Sequence, residues 1–401
     1  MTVKIDKSRA VGTVSAPPSK SMAHRALICA ALSGRSTVRG IEYSADIDAT
    51  SKCLTKLGSV FESSNGIITA GGLVPEKIPE CDIFCNESGS TLRFLIPICL
   101  LGKNRVTLRG APRLMERPLS VYDEICREKG LYFSQSTGGV TVQGPLSGGI
   151  YTVRGDISSQ FISGLLFALP LCSDDSQIRI IGKLESASYI DLTLKSLSDF
   201  GVKIEKGDNC FKIKGGQRYQ SQNTSVEGAW SNAAFLAALG LLGGDVDVTG
   251  LDCGSLQGDR IYREHFKALS KGFCEIDLSD CPDLAPIDFA VAAALHGGKF
   301  TGTRRLKIKE SDRAEAMRAE LLKFGIDIRV EEDSVTVPDN VLNPPTQAIS
   351  SHNDHRIVMA NAVLCTLTGG EIIGAEAVSK SFPDFFEKIE SLGIGVTKYE
   401  T

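Results

Sequence analysis

The chain has 401 residues, 42% hydrophobic and 23% charged, with a formal net charge of −4. This is the composition of a globular protein, and its length exceeds what one core comfortably holds, so two domains are the default. The absence of any Lys/Arg block, and of any apolar run long enough to span a bilayer, speaks against nucleic acid or a membrane as the main partner.

The opening MTVKIDKSRA has no apolar signal-peptide core, so a cytoplasmic protein with reduced thiols is expected. Residues up to about Thr13 read as a lone strand, broken by Ala16-Pro17-Pro18. The stretch Pro18 to Arg25 then opens a helix that Ser19 or Ser21 can cap, with Gly34 placed for a left-handed C-cap. Beyond its first turn this helix is apolar on nearly every side, which predicts burial. Lys20 and Arg25 add to the positive end of its dipole, a combination that attracts phosphate or carboxylate. A solvated helix start with ordinary surface cations fits the same residues equally well.

Similar openings recur at Ser88-Gly89-Ser90, Ser158-Ser159-Gln160, Trp230-Ser231-Asn232, Ala285-Pro286-Ile287-Asp288 and Asn353-Asp354-His355-Arg356, each leading into an Ala/Leu/Ile/Val-rich run. A β-like piece follows each run, then a more charged helix pattern, with short alternating strands such as GIITAGG and GGVTVQG after it. The chain reads as six copies of one unit: buried helix, strand, amphipathic helix, strand pair. Six divide as three and three, with the polar stretch Gln217 to Thr224 as the crossover. Parallel buried helices would bring several N-termini to one end, and two such halves would enclose a cleft of positive potential.

Twelve cysteines show no CxxC or Cys/His ligand spacing, so a zinc site is not expected. Cys29, Cys99, Cys172 and Cys365 lie inside the buried-helix runs and read as small core residues.

Cations cluster at helix starts and loops: Lys20, Arg25, Arg93, Arg113, Arg117, Lys309, Arg313, Arg356 and Lys380. An acidic protein that places Lys and Arg at so many internal junctions is built for a multiply anionic small molecule. Against this, Arg93 and Asp312 can be read as paired with neighbouring charges, Arg113 as loop solvation, Asp354 as an N-cap only, and His24 as a filler of its helix face. Ser158-Ser159-Gln160 reads equally as a cap or as a set of ligand groups. His355-Arg356, just inside an apolar helix, is harder to reduce to structure.

At these residues the sequence strongly resembles the 5-enolpyruvylshikimate-3-phosphate synthases. The resemblance rests on PSKSMAHRA, ESGSTLR, MERP, SSQF, SASYID, PDLAPIDF, KESDR, NDHR and KSFPDF, in order along essentially the whole chain. It implies an α/β (α+β) fold of two similar domains, each of three βαβαββ repeats with buried parallel helices, an inside-out α/β barrel. The first domain would be 14–225 and the second 1–13 with 226–401. It implies transfer of the enolpyruvyl group of phosphoenolpyruvate to the 5-hydroxyl of shikimate 3-phosphate, releasing phosphate by addition and elimination, with no metal or organic cofactor. The enzyme is expected to be a monomer.

Carried over by motif, Lys20, Ser21, Arg25, Ser158, Ser159, Gln160, Ser186, Tyr189, Asp283 and Lys309 are similar to shikimate-3-phosphate ligands. Lys20, Gly89, Arg117, Gln160, Arg313, Arg356 and Lys380 resemble the phosphoenolpyruvate site. Asp283 is similar to the family's proton acceptor and Glu310 to its proton donor at C3; Lys20, His355 and Lys380 complete the catalytic set that the resemblance implies. Glu87, Ser90, Arg305 and Ala229 depart from the commoner pattern. Glu87 and Ser90 bear on the pocket that glyphosate, the family's inhibitor, would enter, and Ala229 removes the acidic cap of the fourth buried helix. Two alternatives remain: a related transferase acting on UDP-N-acetylglucosamine, disfavoured because the loop from Arg109 to Pro118 has no Cys, and a non-catalytic anion-binding protein on the same scaffold.

Overall fold

The computed structural model describes residues 1–64 and 66–399. It divides into two compact units, Pro18–Glu227 and Met1–Pro17 with Gly228–Thr401. Each unit has its own contiguous hydrophobic core.

In the 18–227 unit the core is built around the helices Lys20–Leu32, Gly89–Cys99 and Ser159–Ala168. Every residue from Ala23 to Leu32 is buried, as the all-round apolar sequence requires. Each fully buried Leu, Ile or Phe contributes about 1.5–3 kcal/mol, so these helices are held by tertiary packing more than by propensity. The second and third of them pack closely at Gly164, where an added Cβ would fall 2.6 Å from the Arg93 carbonyl oxygen. The other unit repeats the plan with Trp230–Leu241, Ala285–Ala294 and His355–Thr368, which pack against one another. Amphipathic helices follow each buried one: Ala45–Lys56, Ser120–Lys129, Ala187–Asp199, Tyr262–Leu269, Arg313–Lys323 and Phe385–Ser391.

Among the described residues, five four-stranded sheets share one order, a parallel pair continued by two antiparallel strands. In one, Cys81–Phe84 runs parallel to Val106–Arg109, which pairs antiparallel with Gly139–Gln143, itself antiparallel to Tyr132–Ser136. The fourth repeat departs from the expected unit. Among the described residues it has only Asp245–Thr249, parallel to Val11–Ser15. Five residues separate its outer helix, ending at Leu269, from the strand that opens at Glu275, too few for a strand pair.

The N-terminal segment is two strands, not one. Thr2–Ile5 lies between Gly370–Ile373 and Val396–Tyr399, and Val11–Ser15 joins the two-stranded sheet. The polar turn between them breaks the alternation, with the Asp6 and Ser8 amides donating to the carbonyls of Gly395 and Thr366. Gly34 is not a left-handed cap either. The first helix ends on extended Ser33, whose hydroxyl donates to the Ala30 carbonyl at 2.7 Å and so meets the last turn with a side chain. Among the described residues no helix is long and apolar enough to cross a membrane.

Candidate active site

All three buried-helix starts of the 18–227 unit carry side-chain caps. Ser19 Oγ accepts from the Met22 amide, Ser88 Oγ from Thr91 and Ser158 Oγ from Gln160. Ser19 rather than Ser21 is the cap, which leaves Ser21 inside the first turn. Lys20 follows the cap, and its ammonium lies 2.7 Å from Asp46 Oδ2 on the outer helix.

Arg25 is buried, with each guanidinium nitrogen engaged. Its Nε donates to Thr193 Oγ1 at 2.9 Å, and its two Nη donate to the carbonyls of Ser21 (2.7 Å) and Tyr189 (2.8 Å). Its guanidinium also lies over the Phe94 ring. Burial lowers its pKa to about 10, which still leaves it charged at neutral pH. Ser186, in the left-handed region at φ 56, opens the helix that carries Tyr189.

The start of Gly89–Cys99 is a tight anion cradle. An added Cβ on Gly89 would lie 2.7 Å from Arg117 Nη1 and 3.3 Å from Arg93 Nη1, so only glycine lets both guanidinium groups come this close to the backbone. Arg93 donates to Gln160 Oε1 at 2.7 Å, and Gln160 Nε2 donates to Ser90 Oγ at 3.0 Å. Besides the Gln160 amide oxygen, the Arg93 guanidinium meets the face of Phe161. Arg117 is buried, and its Nε has no hydrogen-bond partner among the described residues. A buried guanidinium with unused donor capacity beside a helix N-terminus is a place for a carboxylate or phosphate. Arg113, by contrast, is exposed and 3.5 Å from Glu116.

The other unit centres on Asp283, the residue before the Leu284 cap of Ala285–Ala294. Its carboxylate accepts from Lys309 Nζ at 3.1 Å, Arg313 Nη1 at 2.8 Å and Arg356 Nη2 at 3.0 Å. Arg356 Nη1 also donates to the Asp283 carbonyl at 3.0 Å. Arg313 continues to Glu310 Oε2 at 2.7 Å and to Asp354 Oδ2 at 2.9 Å. Lys380 donates to the Asn353 carbonyl, and His355 is buried with Nδ1 3.8 Å from Asp354 Oδ1. Four cations thus surround three carboxylates.

Burial alone would raise the Asp283 pKa, but Arg356, Lys309 and Arg313 outweigh it and hold the carboxyl well below its usual range. Burial lowers Lys309, with Asp283 pulling the other way. Asp354 is more than a cap: it accepts from the Arg356 amide, and Arg313 together with His355 overrides burial to keep it ionised. Asp312 caps the following helix by accepting from the Glu315 amide.

Several supporting residues lay outside the sequence reading. Asp46 looks like an ordinary acidic first turn, and Thr193 like a polar residue of an amphipathic helix; both act through contacts far apart in sequence. Gln257 replaces the missing cap at Ala229, accepting from the Trp230 amide at 3.2 Å. Arg305 is buried and donates to the Ser279 carbonyl. All twelve cysteines are free, and no group of three or more His, Cys, Asp or Glu suited to a metal occurs among the described residues.

The fold has solved counterparts. The EPSP synthase of Acinetobacter baumannii matches 99% of this chain and 100% of its own at a TM-score of 0.77 and 23% identity. The enolpyruvyl transferase NikO of Streptomyces tendae matches 99% of this chain and 98% of its own at 0.77 and 12%. These likenesses define the class by architecture: the inside-out α/β fold shared by enolpyruvyl transferases. Sequence narrows it. The family model of EPSP synthase (3-phosphoshikimate 1-carboxyvinyltransferase) matches residues 5–271 and 264–389. The 3-phosphoshikimate 1-carboxyvinyltransferase of Clostridium kluyveri is 40% identical over 414 residues, covering 98% of this chain and 97% of that one. Its counterpart in Clostridium perfringens is 41% identical over 423 residues, 99% of each. The chain belongs to the EPSP synthase family.

Proposed function

We propose that this chain transfers the enolpyruvyl group of phosphoenolpyruvate to the 5-hydroxyl of shikimate 3-phosphate, releasing phosphate, as a step towards aromatic amino acids. Asp283 carries the proposal: a carboxylate ringed by Lys309, Arg313 and Arg356, with Glu310 on the same arginine. A module that only bound anions would gain nothing from placing two carboxylates among its cations.

Addition and elimination need a base for the attacking hydroxyl, a proton for C3 and positive charge for the anionic groups. In this reading Lys20, Ser21, Arg25, Ser158, Ser159, Gln160, Ser186, Tyr189 and Lys309 hold shikimate 3-phosphate. Lys20, Gly89, Arg117, Gln160, Arg313, Arg356 and Lys380 hold phosphoenolpyruvate. Arg25 acts as a buried fixed charge. Arg117 offers unused donors to a carboxylate or phosphate.

Asp283 takes the hydroxyl proton and Glu310 delivers one to C3. With three cations on it, Asp283 is a weak base. Anionic substrate oxygens that take Arg313 and Arg356 as partners remove that neutralisation and raise its proton affinity as the reaction begins. His355 and Lys380 line the same cluster, where Lys380 adds charge that stabilises the phosphate as it leaves. The enzyme works as a cytoplasmic monomer on these two small molecules, and sedimentation at the mass of one chain is the expected result.

The test is phosphate release from phosphoenolpyruvate, with shikimate 3-phosphate or UDP-N-acetylglucosamine as acceptor, for wild type and Asp283→Ala. Release with shikimate 3-phosphate alone, abolished in the variant, is expected. Release with the nucleotide sugar alone would reassign the acceptor. Ligand binding without release would leave an anion-binding protein.

A further inference from the structure

A chain of buried hydrogen bonds in the 18–227 unit joins three helices, and its members have no assigned part in the reaction. His24 Nδ1 lies 2.8 Å from Thr50 Oγ1, Thr50 Oγ1 lies 2.6 Å from Thr91 Oγ1, and Thr91 Oγ1 donates to Ser88 Oγ at 2.7 Å. Ser88 Oγ in turn caps Gly89–Cys99. None of the four residues is more than 1% exposed.

Both ends of this chain stop beside groups read above as phosphoenolpyruvate ligands. His24 follows Lys20 by one helical turn. Ser88 immediately precedes Gly89. The middle member, Thr50, stands one turn from Asp46 and also contacts its carbonyl at 3.2 Å, while the Asp46 carboxylate holds Lys20.

The proton inventory is constrained. His24 Nε2 is buried with no acceptor among the described residues, so the ring proton belongs on Nδ1, donating to Thr50. Burial, reinforced by Lys20 and Arg25, keeps the ring neutral. A neutral, fully buried ring is not a general acid or base for substrate; it is one fixed link.

We propose that Thr50 is a positioning residue for phosphoenolpyruvate: its hydroxyl ties the Lys20 helix and its own helix Ala45–Lys56, which carries Asp46, to the Gly89 turn without touching substrate. This rests on the reading of Lys20 and Gly89 as phosphoenolpyruvate groups. Thr50→Val keeps the shape of the side chain and removes the hydroxyl, leaving His24 Nδ1–H and Thr91 short of a partner.

The experiment is steady-state phosphate release by wild type, Thr50→Val, Thr50→Ser and Thr91→Val, with melting temperatures alongside. The expected result for Thr50→Val is a KM for phosphoenolpyruvate raised about tenfold, a smaller rise of a few-fold in the KM for shikimate 3-phosphate because Lys20 is read as touching both substrates, and kcat within about twofold of wild type. Thr50→Ser, which restores the hydroxyl, returns KM to near the wild-type value. Thr91→Val gives the same KM-specific loss, and carries the test if Thr50→Val does not fold. A lower melting temperature with unchanged KM would make the network ordinary core and overturn the proposal. Wild type that releases no phosphate at all would overturn the functional reading, and this proposal with it.

Discussion

Asp354 Oδ2 accepts from Arg313 Nε at 2.9 Å, and the two side chains are 0% and 1% exposed. All three nitrogens of this guanidinium are occupied, by Asp354, Asp283 and Glu310. Asp354 also caps His355–Thr368, so a substitution must separate the cap from the charge. Asp354→Asn keeps an amide oxygen for the cap and removes the charge. It is expected to cost about 2–3 kcal/mol in denaturant unfolding, because Arg313 loses a buried partner, and to lower kcat/KM at least about tenfold. Asp354→Ala should cost about 1 kcal/mol more. Unchanged kcat/KM in Asp354→Asn would reduce the residue to a cap.

At Gly89 the question is room. A methyl group there would displace Arg117 Nη1, 2.7 Å away, and press on Arg93. Gly89→Ala is therefore expected to raise the KM for phosphoenolpyruvate about tenfold or more, with the KM for shikimate 3-phosphate much less affected. Wild type is expected to be inhibited by glyphosate in competition with phosphoenolpyruvate, and Gly89→Ala to resist it. Inhibition kinetics at several phosphoenolpyruvate concentrations check both. An equal shift in both KM values would mean general loosening of the site.

The helix starts were legible because their signals are local: a Ser or Asp cap, a cation within a turn, then an apolar run. Repetition of that pattern also exposed the architecture. The fourth repeat broke the rule for want of chain between Leu269 and Glu275, a length that repeat-level reading passed over. What could not be read is what tertiary packing supplies. Thr193 reaches Arg25 across 168 residues, and Thr50 reaches Thr91 across 41. Asp354 could be recognised as a cap, but its grip on Arg313 from 41 residues away could not. The unused Nε of buried Arg117 is likewise visible only once its surroundings are in place.

His265 and Asp288 form a buried pair at 2.8 Å, away from the Asp283 contacts. Burial alone would lower the His265 pKa, but the charge and hydrogen bond of Asp288, with Asp259 adding, raise it. Asp288 is itself raised by burial, with His265 pulling the other way. A histidine whose folded pKa exceeds its unfolded value of about 6.5 adds stability that is complete below that value and lost as pH rises through the folded pKa. The His265 contribution to the unfolding free energy should therefore fall as pH rises above about 6.5, while the buried neutral ring of His24 contributes with the opposite sign. Asp288→Asn should flatten that slope. Urea unfolding of both proteins at a series of pH values checks the sign; a stability difference between wild type and Asp288→Asn that grows as pH rises above about 6.5 would refute it.

Gln257 performs the capping that Ala229 cannot. Its Oε1 accepts from the Trp230 amide, and its Nε2 donates to the Gly228 carbonyl at 2.8 Å, so one side chain from 27 residues downstream closes the start of Trp230–Leu241. Ala229 already has the extended backbone of an N-cap, φ −81 and ψ 108, and lacks only the acceptor. Gln257→Ala should therefore cost about 1–2 kcal/mol, from an orphaned helix donor and a lost carbonyl partner. Adding Ala229→Asp to that variant puts the acceptor at the local position and should restore about 1 kcal/mol. Denaturant unfolding of the two single variants and the double gives the coupling directly. If Ala229→Asp has the same effect in the presence and absence of Gln257, the two side chains do not serve the same helix start, and the glutamine holds the Gly228 loop instead.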